Sequence, residues 1–280
     1  MMETRQKALP YILITPAMLL MLLVVIIPIG STLVESFTTK DATFTFDNYL
    51  YFFQSKEAFD SLIFTLTAAI LIVLFAVIIS FFLALYLRFS DSRISRILSR
   101  MYILPRFIPG IVAVYAVMNI IKDAGFIHRF LLIFGIECHL GLLYDIKGIV
   151  LSNLWFNIPF ATMLISASLS NVSDAYIESM RDVGGNWWSI LKEIIWPLTY
   201  RDVIVAATFI LMGQIGSFTI PFLIGPNHPK MLGVLLYEQV NVYLDYNRAA
   251  ALSVLMFIVA LGGAFIYIRS NLKEDEWQKN

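Results

Sequence analysis

Five stretches of this chain run for twenty residues or more without one Asp, Glu, Lys or Arg: 11–34, 61–87, 148–172, 203–228 and 249–268. A hydrocarbon layer about 30 Å thick is crossed by a helix of roughly 20 apolar residues. In lipid every backbone N–H and C=O must find its partner within the chain, so runs of this length are helices. A transmembrane β-barrel would show short alternating segments instead. A sixth stretch, 101–121, carries a single charge, Arg106. The expected fold class is therefore all-α: one polytopic transmembrane domain over 1–280, with six spans at about 11–34, 61–87, 101–121, 148–172, 203–226 and 249–268.

Composition narrows the function. Of 280 residues, 59% are hydrophobic and 14% charged, against about 25% charged in soluble domains. That excludes most soluble enzymes and disordered scaffolds. Twenty basic residues balance twenty acidic ones, so net charge gives no polyanion-binding signal and no nucleic-acid partner is expected. The lone Cys138 excludes an internal disulfide and a thiolate cluster. His128, His139 and His228 lack ligand spacing, and no metal site is expected. The chain has no phosphate-binding G-x-x-x-x-G-K-[ST], no H-E-x-x-H and no nucleophile elbow. It reads as a non-enzyme with no catalytic residues.

Lys and Arg in the loops set orientation. The first ten residues, 88–100, 173–202 and the tail after 268 carry twelve, and the opposite loops carry seven. Both termini are expected in the cytoplasm. The first apolar run is longer than that of a secretory signal and lacks a small-x-small cleavage site, so it reads as a retained anchor. Residues 125–136, GFIHRFLLIFGI, are too few to span and predict a short surface helix on the outer side.

The unusual loop is 173–202. Residues 174–198 read DAYIESMRDVGGNWWSILKEIIWPL. Ser173 and Asp174, followed by Glu178, supply helix-start chemistry. The pattern breaks at Gly184-Gly185, resumes through Trp187, Trp188, Ile190, Leu191, Ile194 and Ile195, and is expected to stop at Pro197. Two short helices joined by a glycine turn are predicted. Trp187, Trp188 and Trp196 are apolar faces of the kind that anchor protein interfaces.

This segment resembles the "EAA" cytoplasmic loop of permease subunits of binding-protein-dependent ABC importers, a pattern of Glu-Ala-Ala, three residues, Gly, nine residues, then Ile-x-Leu-Pro. Glu178 takes the Glu position, Gly184 follows six residues later, Ile194 ten after that, and Pro197 closes the pattern. Ser179 and Met180 stand for the alanines, Trp196 for the leucine, and Asp182 lies one place early. The loop falls between the fourth and fifth spans, where six-span importers have it. LPYILITPAMLL at 9–20, ILPRFIPGIVA at 103–113, GSFTIPFLIG at 216–225 and YNRAAALSVLMF at 246–257 are similar to other parts of such permeases, of the polyamine or sugar branch.

The resemblance implies a type I importer permease in a prokaryotic inner or plasma membrane. It would pair with a second permease subunit, as homo- or heterodimer, with two cytoplasmic ATPase subunits and with an external substrate-binding protein. The chain itself would hold no cofactor, and ATP and Mg would act on the partner ATPase. The expected coupling residues are Glu178, Ser179, Met180, Arg181, Asp182, Gly184, Gly185, Ile194 and Pro197. The expected substrate is a small polar solute such as a polyamine or a sugar. A stand-alone secondary transporter or channel is the alternative, but such proteins often carry several buried ionisable groups, whereas Arg106 is the only charge within a span here.

Candidates for a passage are polar groups inside spans, which are costly against lipid. Asn153 and Asn157, four apart, share one helix face; Gln214 and Ser217 lie in the fifth span. Bonding between helices is the simpler role for any one of them. Arg106, near the cytoplasmic end, can snorkel to the interface. Gly262-Gly263-Ala264 reads as a close-packing face. Tyr115, Phe218 and Glu238 have the chemistry of an ammonium site, although Glu238 suits an outer loop better.

Overall fold

The computed structural model describes residues 13–137 and 139–272. The first two positions of the first expected span, the charges of the first ten residues and of 273–280, and Cys138 lie outside the described residues. Twelve helical segments make the fold among these. They are α1 (Leu13–Ser36), α2 (Asp47–Gln54), α3 (Lys56–Phe89), α4 (Arg93–Met101), α5 (Gly110–Ile121), α6 (Phe126–Leu132), α7 (Ile146–Ser170), α8 (Asp174–Asp182), α9 (Trp187–Ile215), α10 (Thr219–Ile224), α11 (Leu232–Asn241) and α12 (Tyr246–Leu272). Six stretches are long and apolar enough to cross a membrane: α1, α3, Gly110–Leu132, α7, α9 and Tyr246–Phe265 of α12.

Three details differ from the sequence expectation, each at a helix breaker. The third crossing does not begin at 101. Residues 104–107 form a 3₁₀ turn, and α5 begins at Gly110 with Pro109 as its cap. Pro105 and Pro109 lack the N–H that a continuous helix needs. Pro197 does not stop its helix. The preceding residues Leu191–Ile195 are wound as a π-helix, with the Trp196 N–H bonded to the Leu191 carbonyl, and Pro197 enters the first turn of the α-helical part beyond. The wider turn accommodates a ring that would strike the carbonyl four residues back. The same device precedes Pro28 in α1, where Leu22–Ile26 is π-helical. Finally, α9 ends at Ile215 rather than near 226, and the chain re-enters helix only for α10.

The chain falls into two compact units. The first comprises the residues up to Ala58 and Leu236–Ile258. There the end of α1 is closed by side-chain amides, since a helix C-terminus leaves carbonyls without partners. Asn48 Nδ2 donates to the Ser36 and Thr38 carbonyls at 3.0 Å, and Asn247 Nδ2 donates to the Glu35 carbonyl at 3.2 Å. The Arg248 guanidinium lies 4.0 Å from the Tyr51 ring centre, close enough for a cation–π contact.

The second unit comprises Phe59–Leu235 and the residues from Val259. Its core includes Ile72 of α3, Ile149 and Ile165 of α7, and Ile195 and Ala206 of α9, all fully buried. Polar pins fix the helices. Ser80 Oγ of α3 donates to the Ile158 carbonyl of α7 at 3.0 Å, and the Leu232 N–H that opens α11 donates to Thr65 Oγ1 of α3 at 2.9 Å. Of the predicted close-packing glycines, Gly263 is buried and a Cβ there would lie 3.3 Å from Met212 of α9, whereas one at Gly262 would meet nothing.

Candidate functional site

The predicted loop folds as α8, a tight turn, and the first turns of α9. Ser173 caps α8, its hydroxyl accepting from the Ala175 N–H at 3.3 Å, and Asn186 caps α9 by accepting from the Ser189 N–H at 2.9 Å. Side-chain oxygens at these positions satisfy donors that have no partner inside the helix.

The glycines close α8 by donating two backbone bonds to its last carbonyls. Gly184 N–H donates to the Arg181 carbonyl at 2.9 Å, and Gly185 N–H donates to the Met180 carbonyl at 2.8 Å. This is the Schellman pattern, which needs a left-handed residue just past the helix end. Gly184 has φ +84° and fills that position. Gly185 has a different reason to be glycine. A Cβ there would stand 2.5 Å from Met180 Cγ and 2.7 Å from the Met180 carbonyl. The turn is thus packed against the helix it terminates.

α8 presents two faces. Ile177 is 4% exposed and joins the core of the second unit, with Met180 packed beside it. Glu178, Arg181 and Asp182, three and four residues apart, are exposed, with Arg181 one turn beyond Ile177. A groove of about 380 Å³ is lined by Tyr176, Ser179, Met180, Val183, Glu193, Ile194, Pro197 and Leu198. The structure therefore brings Ser179, Met180, Ile194 and Pro197 together across α8 and α9. It leaves Glu178, Arg181 and Asp182 outside that groove, on the exposed surface.

The three tryptophans divide. Trp187 meets Phe89 edge-to-face at 5.3 Å and Trp196 meets Phe81 at 5.7 Å, both on α3. These two touch the loop's own bundle yet stay 44% and 48% exposed, and Trp188 is 69% exposed. One residue that mattered was read from sequence only as a topology charge. Arg88, at the end of α3, reaches Asp174 Oδ1 at 2.6 Å and the Val172 carbonyl at 3.4 Å, across the start of α8.

The passage candidates are distributed differently. Asn153, buried, donates to the Ile149 carbonyl at 2.9 Å, and Asn157 donates to the Asn153 carbonyl at 2.8 Å. Both of these bonds lie within α7. Gln214 is buried near the end of α9, and its Oε1 has no hydrogen-bond partner among the described residues. The buried hydroxyls of Ser152, Thr162 and Ser166 on α7 share that condition, although Ser and Thr inside a span gave no distinct signal in the sequence. Ser217, half-buried, lies in the break after α9, where a Cβ on Gly233 would meet its carbonyl at 2.3 Å. Arg106 sits in the 3₁₀ turn with its guanidinium 5.2 Å from the Phe160 ring centre. Among the described residues no cluster of His, Cys, Asp or Glu could hold a metal ion.

Residues 76–272 match the family described as binding-protein-dependent transport system inner membrane component. The spermidine/putrescine transport system permease protein PotB of Salmonella typhimurium is 23% identical over 243 residues, 84% of each chain. The thiamine transport system permease protein ThiP of Escherichia coli is 26% identical over 219 residues, 77% of this chain and 40% of ThiP. A bacterial alginate ABC transporter, solved in complex with a periplasmic protein bound to an alginate pentasaccharide, superposes with a TM-score of 0.83 at 19% identity, covering 99% of this chain and 98% of that one. The MetNI methionine ABC transporter in an inward-facing form gives 0.58 at 17% identity, covering 75% of this chain and 92% of that one. With the family matched over most of its length and six helices able to cross a bilayer, this chain belongs to the binding-protein-dependent transport system inner membrane components: it is a multi-pass permease subunit of an ABC importer.

Proposed function

We propose that α8 is the element through which a separate ATPase drives this permease. The observation that carries the reading is the two-faced build of α8: Ile177 in the core of the bundle, Glu178, Arg181 and Asp182 in solvent, and a glycine-locked end. A lever must be rigid towards its own bundle and must offer groups a partner can grip. Removing one partner of a desolvated interfacial charge pair costs on the order of 2–5 kcal/mol. The Glu178 carboxylate supplies one such charge, and the ATPase supplies the cation. ATP and Mg²⁺ act on those subunits and not on this chain.

The assembly we propose has a second permease subunit, two ATPase subunits on the cytoplasmic side and an external binding protein. Both chain termini lie on the ATPase side. The substrate is a small polar solute delivered by that binding protein. The PotB relatives support a polyamine, and Gln214, with the α7 hydroxyls that have no partner among the described residues, offers neutral polar groups for a path. Uptake of labelled spermidine and of a labelled sugar by the assembled importer in proteoliposomes tests both parts. Glu178→Lys should abolish uptake of whichever solute is carried while insertion stays normal. Uptake at the unaltered rate would refute the coupling role, and sugar uptake without spermidine uptake would refute the polyamine.

A further inference from the structure

We infer that α4 carries a headgroup site for an anionic phospholipid. The helix follows α3 after a three-residue turn and is held in place, not left trailing. Ser92 accepts from the Ser95 N–H at 3.0 Å and shares a 2.7 Å hydrogen bond with the Tyr86 hydroxyl, and Ser95 is buried against the end of α3. Because α3 crosses the membrane and ends at Phe89, α4 lies where hydrocarbon gives way to headgroups.

Its surface suits that level. Arg93, Arg96 and Arg100 recur at three and four residues and form one stripe; Ile94, Ile97 and Met101 form the next, each more than half exposed. At the seam is an open groove of about 520 Å³ lined by Arg93, Arg96, Ile97, Arg100 and Met101. None of the three guanidinium groups has a carboxylate partner among the described residues. Three unpaired forks beside an apolar strip match a ligand with an anionic phosphate at one end and acyl chain at the other. Guanidinium groups bind phosphate oxygens in bidentate pairs, and juxtamembrane basic clusters attract acidic lipids. A soluble anion would use the arginines and ignore Ile97 and Met101.

Native mass spectrometry of the full chain tests this, with dioleoylphosphatidylglycerol, dioleoylphosphatidylcholine and inorganic phosphate as separate probes. The expected result is retention of phosphatidylglycerol over phosphatidylcholine, weakened about fivefold for each guanidinium removed in Arg93→Gln, Arg96→Gln and Arg100→Gln. Arg129→Gln, on α6, should change nothing. Ile97→Asn with Met101→Gln should also weaken retention of the lipid. Equal retention of the two lipids, or a triple Gln variant that binds like the parent, would overturn the site. So would binding of inorganic phosphate that displaces the lipid with no effect of the Ile97 and Met101 changes, which would mark a simple anion site. The Lys variants of all three arginines guard against misfolding, because they keep the charge and should retain preference for the acidic lipid.

Discussion

Arg88 and Asp174 lie 86 residues apart in sequence and 2.6 Å apart in space, joining the last turn of a membrane-crossing helix to the first residue of α8. The pair is exposed, Asp174 to 68%, so its contribution to stability is about 0.2–1 kcal/mol. Its position matters more than its strength, because it ties the start of α8 to the end of α3. Asp174→Asn and Arg88→Gln should each lower transport-coupled ATP hydrolysis with normal insertion. The exchange Arg88→Asp with Asp174→Arg should recover part of it. A double exchange no better than the single changes would remove the pair from the coupling geometry.

The two glycines should respond differently. At Gly184 an added Cβ meets nothing, but the left-handed backbone costs a non-glycine residue about 1 kcal/mol. Gly184→Asn should be milder than Gly184→Val, since asparagine tolerates that conformation. At Gly185 even alanine drives into Met180, backbone included. Gly185→Ala should therefore lower uptake more than Gly184→Asn, and Gly185→Ala with Met180→Ala should not restore it, because the carbonyl clash remains. Uptake rates of the four variants at equal membrane abundance decide the order.

Ile177 is the hydrophobic root of α8. Truncating it to Ala removes buried methyl and methylene groups from the core, at a cost of about 2–5 kcal/mol. Detachment of α8 from the bundle should lower uptake and speed proteolysis within 173–186. Met180→Leu, roughly volume-conserving, should be close to neutral. Protease cutting at the same rate in Ile177→Ala and the parent would contradict this attachment.

Pro197 provides a test of the π-turn. Pro197→Ala restores an N–H and removes the ring, so Leu191–Ile195 can wind as ordinary α-helix. That change rotates the residues before it relative to those after it, moving Ile194 away from the groove it shares with Ser179 and Met180. Uptake should fall although helix content rises slightly. Unchanged uptake would mean that the register of Ile194 is unimportant.

Much of this architecture was legible in the residue string because lipid is an unforgiving solvent. Charge-free runs of twenty residues have few other solutions, and six helices are long and apolar enough to cross a membrane, although the third starts at Gly110 and the fifth runs from Trp187 to Ile215. The helix start at Ser173 and the break at Gly184-Gly185 were legible because capping and left-handed turns are local chemistry. What escaped was what depends on neighbours distant in sequence. Pro197 reads as a stop unless the π-turn before it is known. The contacts of Trp187 with Phe89 and of Trp196 with Phe81 join residues about a hundred positions apart and are not legible in the string. Arg88 counts as one more cytoplasmic charge until Asp174 is seen beside it. The steric reason for Gly185 depends on where the Met180 side chain lies.

The central claim is that the exposed face of α8 holds the ATPase. Affinity purification of the tagged chain, expressed with its partner subunits, measures this directly as the ATPase retained per permease. The unaltered chain should retain it, and Glu178→Lys should lose most of it while the second permease subunit stays bound. ATPase retained in full by Glu178→Lys, with α8 accessible to a water-soluble label throughout, would contradict the account.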